Sequence, residues 1–291
     1  MGQKRPRDET MDDNRPQSEE RREEASSPFM SMFEQFRAEL DEHHDRRERI
    51  IKASRDVTAA SKKIIRKLAQ PLPPHVAKGN EPYHTIIRDR YSSISSDLQG
   101  LNAYRYARNI TGGNQEWMEA ASFQHYLVTG RLITYDEAQR QLAGLAVSGQ
   151  GGLVFLSVED YLLGIFDMTG ELMRFAITTM ATDGKLPAVA AAQSLPDPAA
   201  AEGGAMEVDA PESKRDVLTD LRALRAELEA LDVGKGGSFA RDVDKKMNVM
   251  QTSVEKVEKA LYGLVIRGRE RPKGWMPDLD SGPRREVEVD A

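Results

Sequence analysis

Apolar residues recur every three or four positions along the stretch between Ser27 and Pro71. This spacing places them on one face of a single long α-helix. Ser27 is a typical helix cap, Pro28 suits the first turn, and Pro71 and Pro73 end the pattern. A helix of about 40 residues extends roughly 60 Å, because each residue adds 1.5 Å. Such a helix is longer than a small domain and needs several partners to pack against.

The same periodicity predicts six further helices, and no alternation typical of β-strands reaches a useful length. These helices cover residues 81–99, 104–123, 134–145, 157–179, 217–231 and 238–268. We therefore predict an all-α fold, a bundle of seven helices in one domain. The long apolar seams also favour oligomerisation.

Composition divides the chain into one helical domain, a linker and two tails. Residues 1–27 are charged and poor in apolar side chains, which predicts a disordered tail. The helical domain covers 28–271, and a polar C-terminal tail covers 272–291. Within the domain, 183–211 is rich in Ala, Pro and Gly and is interpreted as a linker. The basic residues 4–7 are either a nuclear import signal or an ordinary charged tail.

Composition also excludes several classes of protein. No stretch approaches the roughly 18–20 apolar residues of a membrane-spanning helix, and we expect no secretory signal. The absence of cysteine rules out disulfides and thiolate metal sites. A net charge of −6 makes the chain as a whole a poor ligand for nucleic acid. Any contact with nucleic acid must then be local, or be supplied by a more basic partner.

Acidic residues on the third and fifth predicted helices give the sharpest chemical signal. Glu116 and Glu119 lie one turn apart on the first of these, and Asp167 and Glu171 lie one turn apart on the second. Either pair alone is usually a solvated helix face. However, the fifth helix is otherwise strongly apolar, and Gly164 on its polar stripe permits close approach of a ligand or of another backbone.

Four carboxylates converge if these two helices face each other. Hard oxygen ligands of this kind suit Mg²⁺ or Mn²⁺, and a bound ion explains why buried carboxylates stay ionised. Such an ion can activate water and stabilise the charge that develops on a phosphoryl group. Asp160 follows Ser157 by three residues and is interpreted as a helix cap, not as a ligand.

Basic and aromatic residues are interleaved just before the first acidic pair, at Tyr104, Arg105, Tyr106 and Arg108. Arginine binds phosphate groups and tyrosine stacks on unpaired bases, so the cluster is a candidate RNA contact. Packing combined with surface charge is the alternative. The sequence has a single ExxH pair, Glu81 and His84, where a di-iron bundle needs two, and it has no HExxH, GxSxG or P-loop motif; this argues against a di-iron bundle and the corresponding enzyme classes.

Four segments resemble the translin family, and within it the translin-associated subunits more than translin itself. They are LDEHHDRRERIIKASRDVTAASKKII at 40–65, EWMEAASFQHYLVTGRLIT at 116–134, VEDYLLGIFDMTGELMR at 158–174 and VEKALYGLVIRG at 257–268. The resemblance covers residues 29–182 and 211–275 and implies a seven-helix bundle of the translin type.

The resemblance also implies a function. Members of this branch assemble with translin into a hetero-oligomer and carry a Mg²⁺-dependent endoribonuclease site that faces its interior. The family's catalytic acids fall on Glu116, Glu119, Asp167 and Glu171, which would hold Mg²⁺ (or Mn²⁺) or position its water. The family's RNA-binding segment matches residues 104–108 by position only.

The expected substrate is single-stranded or partly unpaired RNA, in small-RNA strand or tRNA-fragment processing in the cytoplasm and nucleus. The alternative is a non-catalytic helical scaffold that stabilises a translin-like RNA-binding subunit.

Overall fold

The computed structural model describes residues 29–69, 76–146, 151–189, 215–234 and 236–267. Its helices are α1 (Met30–Leu68), α2 (Val76–Ile94), α3 (Leu101–Arg105), α4 (Ala107–Thr129), α5 (Tyr135–Ala146), α6 (Val158–Asp183), α7 (Val217–Glu229) and α8 (Gly237–Arg267), with a 3₁₀ turn at Ser96–Leu98. The only extended pairing among these residues is an isolated bridge between Ala188 and Asp216. The predicted all-α class is confirmed.

The chain divides into two compact units, residues 1–44 and 45–291. The first contributes the start of α1, where the predicted apolar seam is exposed at Phe33, Phe36 and Leu40. In the second unit the seam is buried, from Ile50 to Leu68. No helix in the described ranges is long and apolar enough to cross a bilayer.

The prediction of one helix over 104–123 is wrong at Tyr106. Tyr106 has φ −103° and ψ 6°; it ends α3, and α4 begins at the next residue. Its side chain is only 4% exposed, so the break coincides with an aromatic ring held in the core. This additional short helix explains why the described residues form eight α-helices in place of the seven predicted.

Helix α6 lies at the centre of the second unit and packs most extensively against α4 and α8. Gly164 of α6 is buried against Met118 of α4. A Cβ atom at position 164 would lie 2.6 Å from Met118 Cβ and 3.1 Å from the Gln115 carbonyl oxygen. The close approach expected at Gly164 is therefore made by the neighbouring helix and not by a ligand. Because α4 and α6 pass so closely, the acidic residues that they carry lie near one another.

Residues 187–189, which fall within the predicted linker 183–211, lie beside residues 215–217, which follow it. The Val189 N–H donates to the Arg215 carbonyl at 3.1 Å, and the Val217 N–H donates to the Pro187 carbonyl at 3.3 Å. Most of the linker, both predicted tails and the basic residues 4–7 lie outside the described residues. Those predictions stay untested.

We expect replacement of Asp97 by Ala to lower the free energy of unfolding by about 1–3 kcal/mol, because it removes the shared acceptor of two arginines. The nearly buried Asp97 carboxylate accepts from Arg46 Nε at 3.2 Å and from Arg49 Nε and Nη2 at 3.0 and 2.9 Å. Burial opposes its ionisation, but Arg49 and Arg46 outweigh burial and hold the pKa of Asp97 below its ordinary value.

Urea unfolding of the purified protein measures this loss. Asp56→Ala is the matched control, since the one ion pair of Asp56 among the described residues is with Arg90, and both side chains are more than a third exposed. Its expected cost is below about 1 kcal/mol. Equal losses for the two variants would contradict the importance given to Asp97.

Candidate active site

The four acids singled out in the sequence line one cavity of about 860 Å³. Glu116 and Glu119 come from α4, and Asp167 and Glu171 come from α6. Residues of α1 and α8 complete the walls. The structure thus brings together four carboxylates from two helices.

Three of the acids are paired with basic side chains. Lys62 Nζ of α1 lies 3.0 Å from Glu116 Oε1, Lys246 of α8 pairs with Asp167, and Arg174 pairs with Glu171 one turn earlier on α6. The remaining acid, Glu119, forms no ion pair within the described ranges.

These three cations were not predicted from the sequence. Only Arg174 has a local signal, its position three residues after Glu171. Lys62 and Lys246 reach the cavity from distant helices, so only the fold places them there.

The pKa of Glu119 is strongly raised by its surroundings. Burial raises its pKa, the neighbouring carboxylates of Asp167 and Glu116 raise it further, and Lys246 and Arg174 lower it only in part. Together these effects raise the pKa of Glu119 to about 7 from its ordinary value of 4.5. In the metal-free protein, Glu119 therefore exchanges its proton near neutral pH.

This shift predicts how the stability of the metal-free protein depends on pH. Between pH 4.5 and about 7, the folded state retains the Glu119 proton while the unfolded state has lost it. The free energy of unfolding should therefore fall as the pH rises through this window, since the folded state binds more protons. Urea unfolding in EDTA at several pH values measures the slope. Glu119→Gln should make the slope less negative; an unchanged slope would assign the effect to other groups.

The donor chemistry of the cavity fits a hard divalent cation. All four groups offer carboxylate oxygens, and Glu116 Oε2 is buried without a hydrogen-bond partner. No three Asp, Glu or His side chains of the described segments are arranged to hold a metal ion as they stand. Three of the acids are instead engaged by Lys62, Lys246 and Arg174. A bound ion would take the place of these cations on the carboxylates.

The predicted RNA-contact residues lie elsewhere. Tyr104 is 90% exposed, and Arg105 and Arg108 are also exposed. Tyr106 is buried and is not available to stack on a base, which corrects the sequence-based expectation for this residue. Arg108 lines a second cavity of about 570 Å³, and none of the four acids lines that one.

Asp160 also lines this second cavity and connects α6 to α4. Its N–H donates to the Ser157 side chain at 3.0 Å, so Ser157 is the cap. Its carboxylate accepts hydrogen bonds from Asn114 at 3.2 Å, from Gln115 at 3.0 Å and from Thr111. The buried Asp160 carboxylate thus fixes α4 against the start of α6.

A sequence model of the translin family matches residues 45–268. The chain belongs to the translin family. The Translin-associated protein X of Pongo abelii is 32% identical over 88% of this chain and 85% of its own length. The Translin-associated protein X homolog of Schizosaccharomyces pombe is 28% identical over 81% of this chain and 87% of its own length. The resemblance to the translin-associated branch is confirmed.

A solved structure supports the fold of this translin-family chain. The crystal structure of apo-NeC3PO superposes with a TM-score of 0.52 and 16% identity, over 78% of this chain and 96% of that one. At this identity the likeness shows the translin-type helical fold, and the roles of the site residues need an argument of their own.

Proposed function

We propose that this chain is the catalytic subunit of a hetero-oligomer with a translin-like chain, a Mg²⁺-dependent endoribonuclease for single-stranded or partly unpaired RNA. The observation that carries the proposal is the convergence of Glu116, Glu119, Asp167 and Glu171 on one cavity. Glu171 is buried and the other three acids are half-buried, and carboxylates gathered at one cavity repel one another, so their convergence favours a chemical role.

Three of the acids would hold the ion. Glu116 offers the unpartnered Oε2 atom, and Asp167 and Glu171 face the same cavity from α6. A bound Mg²⁺ supplies positive charge that activates water and stabilises the phosphoryl group during in-line attack. Glu119 is the acid outside the ion pairs, so its carboxylate is free to take the proton from the attacking oxygen.

The names of the relatives support a translin-like partner. Both relatives are called Translin-associated protein X or a homolog of it, and this chain matches most of the length of each. The chain's net charge of −6 agrees with an assembly in which a partner supplies part of the attraction for RNA.

Cleavage of a labelled single-stranded RNA by the co-purified complex tests the proposal. We expect cutting in Mg²⁺ and none in EDTA, with restoration when Mg²⁺ is added back. A complex of correct size that cuts none of several RNAs would contradict the proposal. That result would favour a scaffold in which Lys62–Glu116 and Lys246–Asp167 serve only to join helices.

A further inference from the structure

The acid cavity has more basic than acidic residues in its walls. Lys62 and Arg66 come from α1, Arg174 from α6, and Lys245 and Lys246 from α8. As described above, Lys62, Arg174 and Lys246 are engaged by the acids. The other two basic residues, Arg66 and Lys245, do not pair with any of the four acids.

Arg66 and Lys245 are both exposed, and their charges are available to a ligand. Arg66 forms no ion pair within the part of the chain that the structure describes. The only described ion pair of Lys245 is with Asp242, at 3.7 Å and largely exposed, with 78% and 49% of the two side chains accessible. An exposed pair at this distance is weak and is easily exchanged for another anion. Two available cations thus lie on different helices lining the same cavity as the four carboxylates.

We propose that Arg66 and Lys245 bind the phosphate groups of the RNA strand that enters the acid cavity. This inference rests on the proposed function and names where, on this chain, the substrate backbone is held. The planar guanidinium of Arg66 can donate two parallel hydrogen bonds to a phosphate, and the Lys245 ammonium acts as a point charge.

The geometry favours this site over residues 104–108. Arg108 lines a cavity that contains none of the four acids, and Tyr106 is buried. Binding of an RNA strand at Arg108 alone would therefore not bring the strand to the carboxylates. A strand held by Arg66 and Lys245 lies against the walls that carry Glu116 and Asp167.

Fluorescence anisotropy of a labelled single-stranded RNA with the full complex in EDTA tests the inference, because no metal-dependent cutting interferes. We expect Arg66→Gln and Lys245→Gln each to weaken binding by about three- to tenfold, independently of RNA sequence. Each variant should reduce the slope of log K against log salt by about 0.7, the value for one phosphate contact on a single strand. Arg66→Lys keeps the charge and should therefore retain the wild-type salt slope, while losing the part of the affinity that the paired hydrogen bonds of the guanidinium supply.

Two further variants sharpen the test. Arg140→Gln is the matched control, since Arg140 is an exposed arginine on α5 that lines neither cavity, and we expect wild-type affinity and slope. Arg108→Gln probes the competing site. Wild-type affinity and slope in the Arg66→Gln/Lys245→Gln double variant, or loss of binding in Arg108→Gln alone, would overturn the inference.

Failure of this inference differs from failure of the proposed function. If the complex never cuts RNA, but Arg66→Gln and Lys245→Gln weaken its binding of RNA, then the phosphate site is supported and the nuclease function is contradicted. If the complex cuts RNA in a metal-dependent way, but both variants bind RNA as the wild type does, then the nuclease function is supported and the phosphate site is contradicted. Gel filtration and thermal unfolding show whether each variant is assembled and folded.

Discussion

Replacement of Glu119 by Gln lowers the rate of RNA cleavage by the assembled complex by about 100-fold or more, if Glu119 is the proton acceptor in the reaction. The amide keeps the size and shape of the side chain but cannot accept the proton. Because Glu119 belongs to none of the described ion pairs, its replacement by the equally sized amide breaks no ion pair between the described helices. We therefore expect the variant to assemble normally and to fail only in chemistry.

Single-turnover cleavage of a labelled RNA, with enzyme in excess, measures this loss apart from product release. Glu255→Gln on α8 is the matched control, because Glu255 is an exposed acid paired weakly with Lys259 at 3.7 Å. It should cut at the wild-type rate. Cleavage by Glu119→Gln within a fewfold of the wild type would remove Glu119 from the reaction and return the role of base to the other acids.

Replacement of Gly164 by Ala is expected to destabilise the protein by about 1–3 kcal/mol, even though alanine favours helices over glycine by about 1 kcal/mol. The added methyl would lie 2.6 Å from Met118 Cβ, an atom next to the α4 backbone that cannot simply rotate away. The two helices would have to move apart, and the acids of α4 would separate from those of α6. Cleavage should fall together with stability.

Gly170→Ala gives the matched comparison of stability on the same helix. Gly170 lies in α6 like Gly164, but a Cβ atom there would meet nothing within 4 Å. The gain in helix propensity then acts alone, and we expect Gly170→Ala to be stabilising by up to about 1 kcal/mol. Urea unfolding of the two variants should therefore give shifts of opposite sign. Stabilisation by Gly164→Ala would show that α4 and α6 do not pass as closely as described.

The sequence allowed the helices to be predicted where apolar periodicity is strong, as in α1, α6 and α8. It also predicted that Glu116 and Glu119 share one face of their helix, and Asp167 and Glu171 one face of theirs, because each pair is spaced by one helical turn; that the two faces meet was a condition of the metal-site hypothesis. Both inferences depend on local spacing, which a helix converts directly into position.

The features that the sequence did not reveal depend on tertiary contacts. No helix-breaking residue stands beside Tyr106 in the sequence. The break between α3 and α4 at this residue is explained by burial of its ring. The pairing of Lys246 with Asp167 joins residues 79 positions apart. Such a contact has no periodic signature, so the positive charge beside the acids became visible only with the fold.

The hydrogen bonds between residues 187–189 and 215–217 hold the two chain segments that flank residues 190–214 next to each other. For a flexible closed loop, each doubling of length costs only about 0.6 kcal/mol of closure entropy. The free energy of unfolding should therefore depend only weakly on the number of residues between 189 and 215. A label or affinity tag inserted between residues 189 and 215 is therefore expected to cost little stability, and related chains can differ in length there without disturbing the helices that carry the acids.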